Sequence, residues 1–334
     1  MTFWRDRNVF VTGATGLLGS WMVEELVAQG ANVTCLIRDW MPDTKLVGSK
    51  LNERANLVFG ELQDYELMVR VLNEFEINSV FHLGAQTIVG TASRSALSTF
   101  ESNIKGTWTV LEACRQFPQL IERIIVASSD KAYGSHENLP YTEDMSLQGR
   151  FPYDVSKSCS DLIAQSYFHS YGLPLTITRF VNLFGGGDLN LNRLVPGTIM
   201  SALRDESPIV RSDGKFVRDY FYVSNAVDGY LKLAEKMPDP AINGEIFNFG
   251  YGEPLTVIEL VDEILEVMGK SFLKPTILNE ASNEIRRQYL DCSKAQRMLN
   301  WGPRVKRREG LIKTVEWYES YSSGNGQREV TMIR

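Results

Sequence analysis

The sequence predicts an α/β fold, a doubly wound parallel sheet with a smaller C-terminal α/β lobe. Three observations predict it. Short apolar runs alternate with helical periodicity through the first half of the chain, the first run ends in a glycine-rich turn, and beyond Phe184 the loops lengthen while helical patterns continue.

In chain order, residues 9–11 form the first apolar run, and helical periodicity follows over Leu17–Ala28. Residues 33–37 and Asn56–Phe59 are the second and third runs, with a helical stretch over 65–72. Residues 79–83 and 124–127 are the fourth and fifth, and the spacing predicts one long helix between them over 99–116. Another helix is predicted over 153–171, before the strand Leu175–Phe180. Strands joined by crossover helices lie parallel, because each helix carries the chain back to the starting end of the sheet. After Gly185-Gly186-Gly187-Asp188, helices are predicted at 196–204, 223–235 and Val257–Val267. This divides the chain into residues 1–182, a second lobe over 183–322 interleaved with the first, and a Gly/Ser-rich, mobile tail over 323–334 that begins near Ser322.

Composition bounds the function. The 334 residues are 43% hydrophobic with a net charge of -6, enough for a packed core. No basic tract favours nucleic acid. Cys35, Cys114, Cys159 and Cys292 form no C-x-x-C pair, so free thiols and a cytoplasmic setting are expected. No signal peptide and no membrane span are expected. The three histidines lie far apart, so no metal site is expected.

The turn Thr12-Gly13-Ala14-Thr15-Gly16-Leu17-Leu18-Gly19 follows the first run and opens the first helix. Gly13 permits the tight turn, Gly16 lets backbone approach a pyrophosphate, and Gly19 lets helix and strand pack closely. The helix N-terminus then offers N–H groups to the phosphates. This identifies a Rossmann-type cradle for a dinucleotide in residues 1–182. The second strand ends Ile37-Arg38-Asp39, with no acid where a 2′-hydroxyl is usually met. Arg38 leans the reading towards NADP, since guanidinium pairs with a 2′-phosphate; the other reading gives the ribose of NAD to Asp39.

Tyr153 and Lys157 are spaced i, i+4 and share a helix face. An ammonium there stabilises tyrosinate, so Lys157 is expected to lower the Tyr153 pKa and make the phenol a base for a sugar hydroxyl. Ser129, at the end of the fifth strand, is placed to donate to the same oxygen. The carboxyl ends of parallel strands are where such sheets bind ligands.

These features resemble the extended short-chain dehydrogenase/reductase family, the nucleotide-sugar epimerases and dehydratases. The resemblance covers nearly the whole chain. It rests on Thr12 to Gly19, His82-Leu83-Gly84-Ala85-Gln86, Asn103-Ile104-Lys105-Gly106-Thr107, Ser129, Tyr153-x-x-x-Lys157, Arg218-Asp219-Tyr220, Leu290-Asp291-Cys292-Ser293-Lys294-Ala295 and Leu299-Asn300-Trp301-Gly302-Pro303. It implies a cofactor, NAD or NADP, held by Gly13, Thr15, Gly16, Leu17, Leu18, Gly19, Arg38, Glu61, Leu62, Leu83, Ala85, Gln86, Asn103, Tyr153 and Lys157. It implies a nucleotide-sugar met by Gln86, Ser129, Asn182, Arg193, Leu194 and Arg218, the two arginines as phosphate clamps. An arginine usual about ten residues before Asp291 is absent, and Ala281 stands there, with Arg286 and Arg287 nearer. A homodimer built from the helices around 103–116 and 153–171 is also implied.

Asp130-Lys131 after Ser129 resembles the CDP-glucose 4,6-dehydratases, as do Gly19-Ser20-Trp21, Gly185-Gly186-Gly187-Asp188 and Arg193-Leu194-Val195-Pro196. The segment 216–223 looks instead like the epimerase pattern. Dehydration needs oxidation at C4, a base for the C5 proton and an acid for departing O6. Asp130 is the candidate acid, its pKa raised by burial. Lys131 is the candidate base, its pKa lowered by burial or by Lys157, or else a charge that stabilises the enolate. The reading is therefore a nucleotide-sugar 4,6-dehydratase of the CDP-glucose or GDP-mannose type. The alternatives are a 4-epimerase or ketoreductase, which needs neither group, and a non-catalytic dinucleotide-binding protein, against which Ser129, Tyr153 and Lys157 argue.

Overall fold

The computed structural model describes residues 2–280 and 284–324. The strands are β1 (Asn8–Thr12), β2 (Asn32–Ile37), β3 (Asn56–Phe59), β4 (Ser79–His82), β5 (Arg123–Ala127), β6 (Leu175–Phe180), β7 (Asn182–Phe184), β8 (Ile209–Val210), β9 (Val217–Arg218), β10 (Tyr220–Tyr222), β11 (Ile246–Phe249), β12 (Leu255–Thr256) and β13 (Thr276–Ile277). The helices are α1 (Leu17–Ala28), α2 (Lys45–Gly48), α3 (Tyr65–Glu74), α4 (Val89–Arg94), α5 (Ala96–Phe100), α6 (Gly106–Arg115), α7 (Pro152–Tyr171), α8 (Leu194–Leu203), α9 (Val223–Lys236), α10 (Val257–Val267), α11 (Ser293–Leu299) and α12 (Arg307–Gly324).

Seven strands form one parallel sheet in the order β11-β6-β5-β4-β1-β2-β3. The apolar runs of the sequence lack polar alternation because both faces are covered by helices. Val9, Val11, Phe81 and Ile125 point into one core, with α1 and α9. Phe10, Val80, Ile124 and Val126 point into the other, with α3 and α6. The strand order reverses between β1 and β4, which opens a crevice at their carboxyl ends. The C-terminal half contributes β11 to the sheet and three two-stranded ladders, β7–β10, β9–β12 and β8–β13, above those ends.

The helix expected over 99–116 is interrupted. A π-turn at Glu101–Lys105 separates α5 from α6. Within the turn, the Asn103 carbonyl oxygen accepts Thr107 Oγ1 at 2.6 Å and Ser160 Oγ at 2.8 Å. At the C-terminus, Ser322 and Ser323 belong to α12, where the sequence reading began a mobile tail. The remainder of that tail, 325–334, lies outside the described residues, as does Ala281.

A buried polar chain ties β1 to α6. Thr12 Oγ1 accepts the N–H groups of Leu83 and Gly84, so its own proton goes to His82 Nδ1 at 3.0 Å. His82 Nε2 then donates to Thr107 Oγ1 at 3.0 Å. Burial, with the charge of Lys157 behind it, pushes the imidazole pKa down to about 3. Below about pH 6.5 the unfolded chain therefore binds a proton that the folded chain refuses, and stability falls with pH until about pH 3. His82→Gln removes this term. Between neutral pH and about pH 5, the wild type is expected to lose about 2 kcal/mol more than the variant, read from urea unfolding. A stability gap that does not change with pH would refute the assignment.

Candidate active site

The site is built where β1, β4 and β5 end. Gly13 has φ +73°, and a Cβ there would stand 2.8 Å from the Gly84 backbone. A Cβ on Gly19 would stand 2.1 Å from the Gly13 carbonyl oxygen. Only glycines let the turn, β4 and the start of α1 come this close. Gly16 is the N-cap of α1, with no side chain capping it and no acid in the first turn. The helix end is left for an anion. Leu62 packs against Gly84 and Gly106 beside this cradle, while Glu61 and Thr15 sit nearer solvent. Arg38 is exposed, and its Nε lies 2.6 Å from Asp39 Oδ2.

Asn103, fully buried, organises the next layer. Its Oδ1 accepts Gln86 N–H at 2.7 Å, and its Nδ2 donates to the Gln86 carbonyl and to Ser156 Oγ. Ser156 Oγ donates to the Tyr153 carbonyl at 2.7 Å. The first turn of α7 is thus fixed to the β4 loop. The Gln86 side chain accepts Ile88 N–H.

Ser129, Asp130, Tyr153 and Lys157 are all buried, and Lys131 is half-buried. Ser129 Oγ accepts Lys131 N–H and donates to Asp130 Oδ1 at 3.1 Å. Tyr153, Lys157 and Asp161 recur at helical spacing on the face of α7 turned to the sheet. Asp161 locks that face. It holds Arg179 of β6 through two parallel bonds of 2.8 Å and 2.9 Å, both partners buried. Lys157 Nζ donates to the Ala127 carbonyl at 2.8 Å.

Burial sets the charges. It pushes the Tyr153 phenol up to about 12 against the pull of the Ser129 hydroxyl, with Asp130 adding to the rise. Lys157 turns its ammonium to Ala127, and the phenol is raised rather than lowered as expected from Lys157. Burial pulls Lys157 down to about 8, opposed by Asp161. Burial raises Asp130 above the usual carboxylate range, although Lys131 and Arg218 oppose it. Burial lowers Lys131, and its cationic neighbour is Arg218 rather than the expected Lys157, because β9 brings the guanidinium over the β5 end. Asp154, which sequence reasoning passed over, faces Lys131 and Asp130 and is raised by burial to about 6.

The C-terminal half also reaches the site. Arg193, at the N-cap position of α8, donates to Asp188 and Thr87 at 3.0 Å and 2.9 Å, and acts electrostatically on Tyr153. It thereby ties the start of α8 to the loop after β4. Asn182 and Leu194 are half-buried nearby in chain order, on β7 and α8. Arg218 is buried with its guanidinium on the carbonyls of Val217, Ile285 and Arg286. A polar depression of about 450 Å³ lined by Asn8, Asn32, Thr34 and Asn56 lies at the opposite, amino ends of the strands and contains none of these groups. His82, Ser156 and Asp161 were not singled out as site residues from the sequence. Their only sequence signal is position: His82 ends a strand, and Ser156 and Asp161 lie three and eight residues past Tyr153.

The family model for GDP-mannose 4,6 dehydratase matches residues 10–314. A CDP-glucose 4,6-dehydratase from Salmonella typhimurium is 30% identical over 96% of this chain and 93% of its own length. Among solved structures, a UDP-glucose 4-epimerase from Thermotoga maritima superposes with a TM-score of 0.85 at 28% identity, covering 94% of this chain and 99% of that one. A dTDP-glucose 4,6-dehydratase from Streptomyces venezuelae, solved with NAD bound, gives 0.84 at 27% identity, over 95% and 98%.

Arg179→Met strands the Asp161 carboxylate in the core and is expected to cost about 3–5 kcal/mol in urea unfolding. Asp161→Leu combined with Arg179→Met removes both charges and should recover most of that loss. A double variant as unstable as the single one would show that packing, not charge pairing, holds α7.

Proposed function

The chain belongs to the GDP-mannose 4,6-dehydratase family of nucleotide-sugar enzymes, and we propose that it is an NAD(P)-dependent nucleotide-sugar 4,6-dehydratase. The observation that carries the reading is the adjacent pair of buried Asp130 and half-buried Lys131 beside Tyr153. Two ionisable groups at the oxidation site have their pKa values pushed in opposite directions, as acid and base chemistry require. An epimerase needs neither. Several similar proteins are named epimerases, and segment 216–223 follows that pattern, so epimerisation is the second reading.

The glycine cradle fits a dinucleotide, because no side chain caps α1 and no Cβ fills the approach at Gly16. We assign Gly13, Thr15, Gly16, Leu17, Leu18, Gly19, Leu62, Leu83, Ala85 and Gln86 to it, with Arg38 and Glu61 towards the adenosine side. Bound there, NAD or NADP would supply a hydride acceptor for C4 and a hydride donor for C6. NAD and NADP are both to be offered, since Asp39 already engages Arg38.

In this reading Tyr153 removes the O4 proton, with Ser129 donating to the same oxygen and Lys157 behind them. The C4 ketone acidifies the proton on C5. Lys131, its pKa lowered by burial and Arg218, accepts it. Asp130, its pKa raised by burial, gives its proton to departing O6, which leaves as water. Protonation at C5 by Lys131 completes the 4-keto-6-deoxy sugar. Asn182, Arg193 and Leu194 are assigned to the nucleotide-sugar. Arg218 is assigned to its diphosphate, a role that requires exchange from three carbonyls.

We also propose a homodimer through α6 and α7, whose outer faces expose Trp108, Leu162 and Tyr171. Leu162→Arg is expected to yield monomers in sedimentation velocity; an unchanged sedimentation coefficient would refute this interface.

Incubation with CDP-glucose, GDP-mannose and related nucleotide-sugars, followed by mass spectrometry, tests the activity. Loss of one water supports dehydration, whereas a new isomer of equal mass supports epimerisation. Lys131→Ala and Asp130→Asn should each slow dehydration by about 10²–10⁴-fold while transient cofactor reduction persists. Equal loss of both steps would overturn the assigned roles.

A further inference from the structure

Gln288 is fully buried, yet neither Nε2 nor Oε1 has a hydrogen-bond partner among the described residues. Asp130 Oδ2 is likewise buried and unpartnered, while Oδ1 takes the Ser129 hydroxyl. The two orphans are neighbours: the Gln288 amide lies close enough to the Asp130 carboxyl to favour its ionised form, without completing a well-formed bond.

The main chain that carries the side chain is held from both sides. Gln288 N–H donates to the Val217 carbonyl at 3.1 Å, and Arg287 bridges Val217. Leu290 bridges Tyr141, with Asp291 N–H donating to the Tyr141 carbonyl at 2.9 Å. Burying unpaired amide groups is unfavourable, and an apolar side chain of similar size would avoid it. Such a group is retained where a site uses it.

We propose that Gln288 is a positioning residue for the Asp130 acid, its amide offering the carbonyl oxygen to the protonated carboxyl and, after a half-turn, the NH₂ group to the carboxylate. A side-chain amide carries both a donor and an acceptor and so suits both states of an acid that gives up and regains one proton. Gln288 itself is neutral and does not titrate. The charged and titratable groups that also face Asp130 are Lys131 beside it, Arg218 from β9, Asp219, Tyr141, and Tyr153 and Asp154 from α7. The inference rests on the dehydratase reading for its role in turnover, but not for the contact.

Two measurements separate these. In dinucleotide-free protein carrying ¹³C-labelled aspartate carboxyls, with Asp130→Asn to assign the signal, Gln288→Met removes the donor to the carboxylate. The Asp130 titration should move up by about one pH unit. Gln288→Glu, which when protonated can both donate and accept, should give a different shift at equal fold stability. In turnover, Gln288→Met should slow water loss about tenfold relative to cofactor reduction, with the Asp130 limb of the pH profile displaced by the same amount. An unmoved Asp130 titration in both variants overturns the proposal. A moved titration in a protein that dehydrates no nucleotide-sugar supports the contact and removes the dehydratase reading.

Discussion

The bidentate pair between Asp161 and Arg179 is the constraint on which the site depends. The long helix α7 buries small and polar residues, among them Ser156, Ser158, Ser160 and Ala164. Such a face leaves a helix free to turn about its axis. Two parallel charge-assisted bonds fix the angle, because a guanidinium and a carboxylate meet well in one plane only. Arg179 also lies over the Tyr133 ring and donates to the Glu143 carbonyl, so the helix, β6 and the loop after β5 are held by one side chain. A buried ion pair contributes little net stability beside an apolar substitute. Here it sets geometry, placing Tyr153 and Lys157 against the end of β5.

A second restraint reaches the same helix from the other side. Thr12, His82, Thr107, Asn103 and Ser156 form an unbroken hydrogen-bonded series from the glycine turn to the Tyr153 carbonyl. Each member is buried. Asn103, within the π-turn, is the link of the series that also binds the Gln86 backbone. The cofactor cradle and the tyrosine are thereby parts of one rigid unit, the preorganisation that proton and hydride transfer demand.

Within that frame, desolvation supplies the chemistry. Burial is the largest cause of the shifts at Tyr153, Lys157, Asp130 and Lys131. It disfavours every charged form, so it raises a carboxyl and lowers an amine at once. At Asp130, Lys131 and Arg218 oppose that rise in part.

The sequence by itself determined the parallel sheet, because uninterrupted apolar strands between helices can be satisfied only with both faces covered. It also determined the cradle: Gly13 and Gly19 stand where any Cβ would strike backbone. Ser129, Asp130, Lys131, Tyr153 and Lys157 were legible because each group lies within a few residues of an element end. What the tertiary structure alone decided is which distant groups meet them. Arg218, not Lys157, faces Lys131, and Lys157 turns to Ala127. Gln288 arrives beside Asp130 through ladders with Val217 and Tyr141 that no local pattern announces. The interruption of the helix at Asn103 was equally hidden. Local periodicity fixes secondary structure, whereas the electrostatics of a buried group depend on neighbours brought in from far along the chain, and these are set only when the lobes pack.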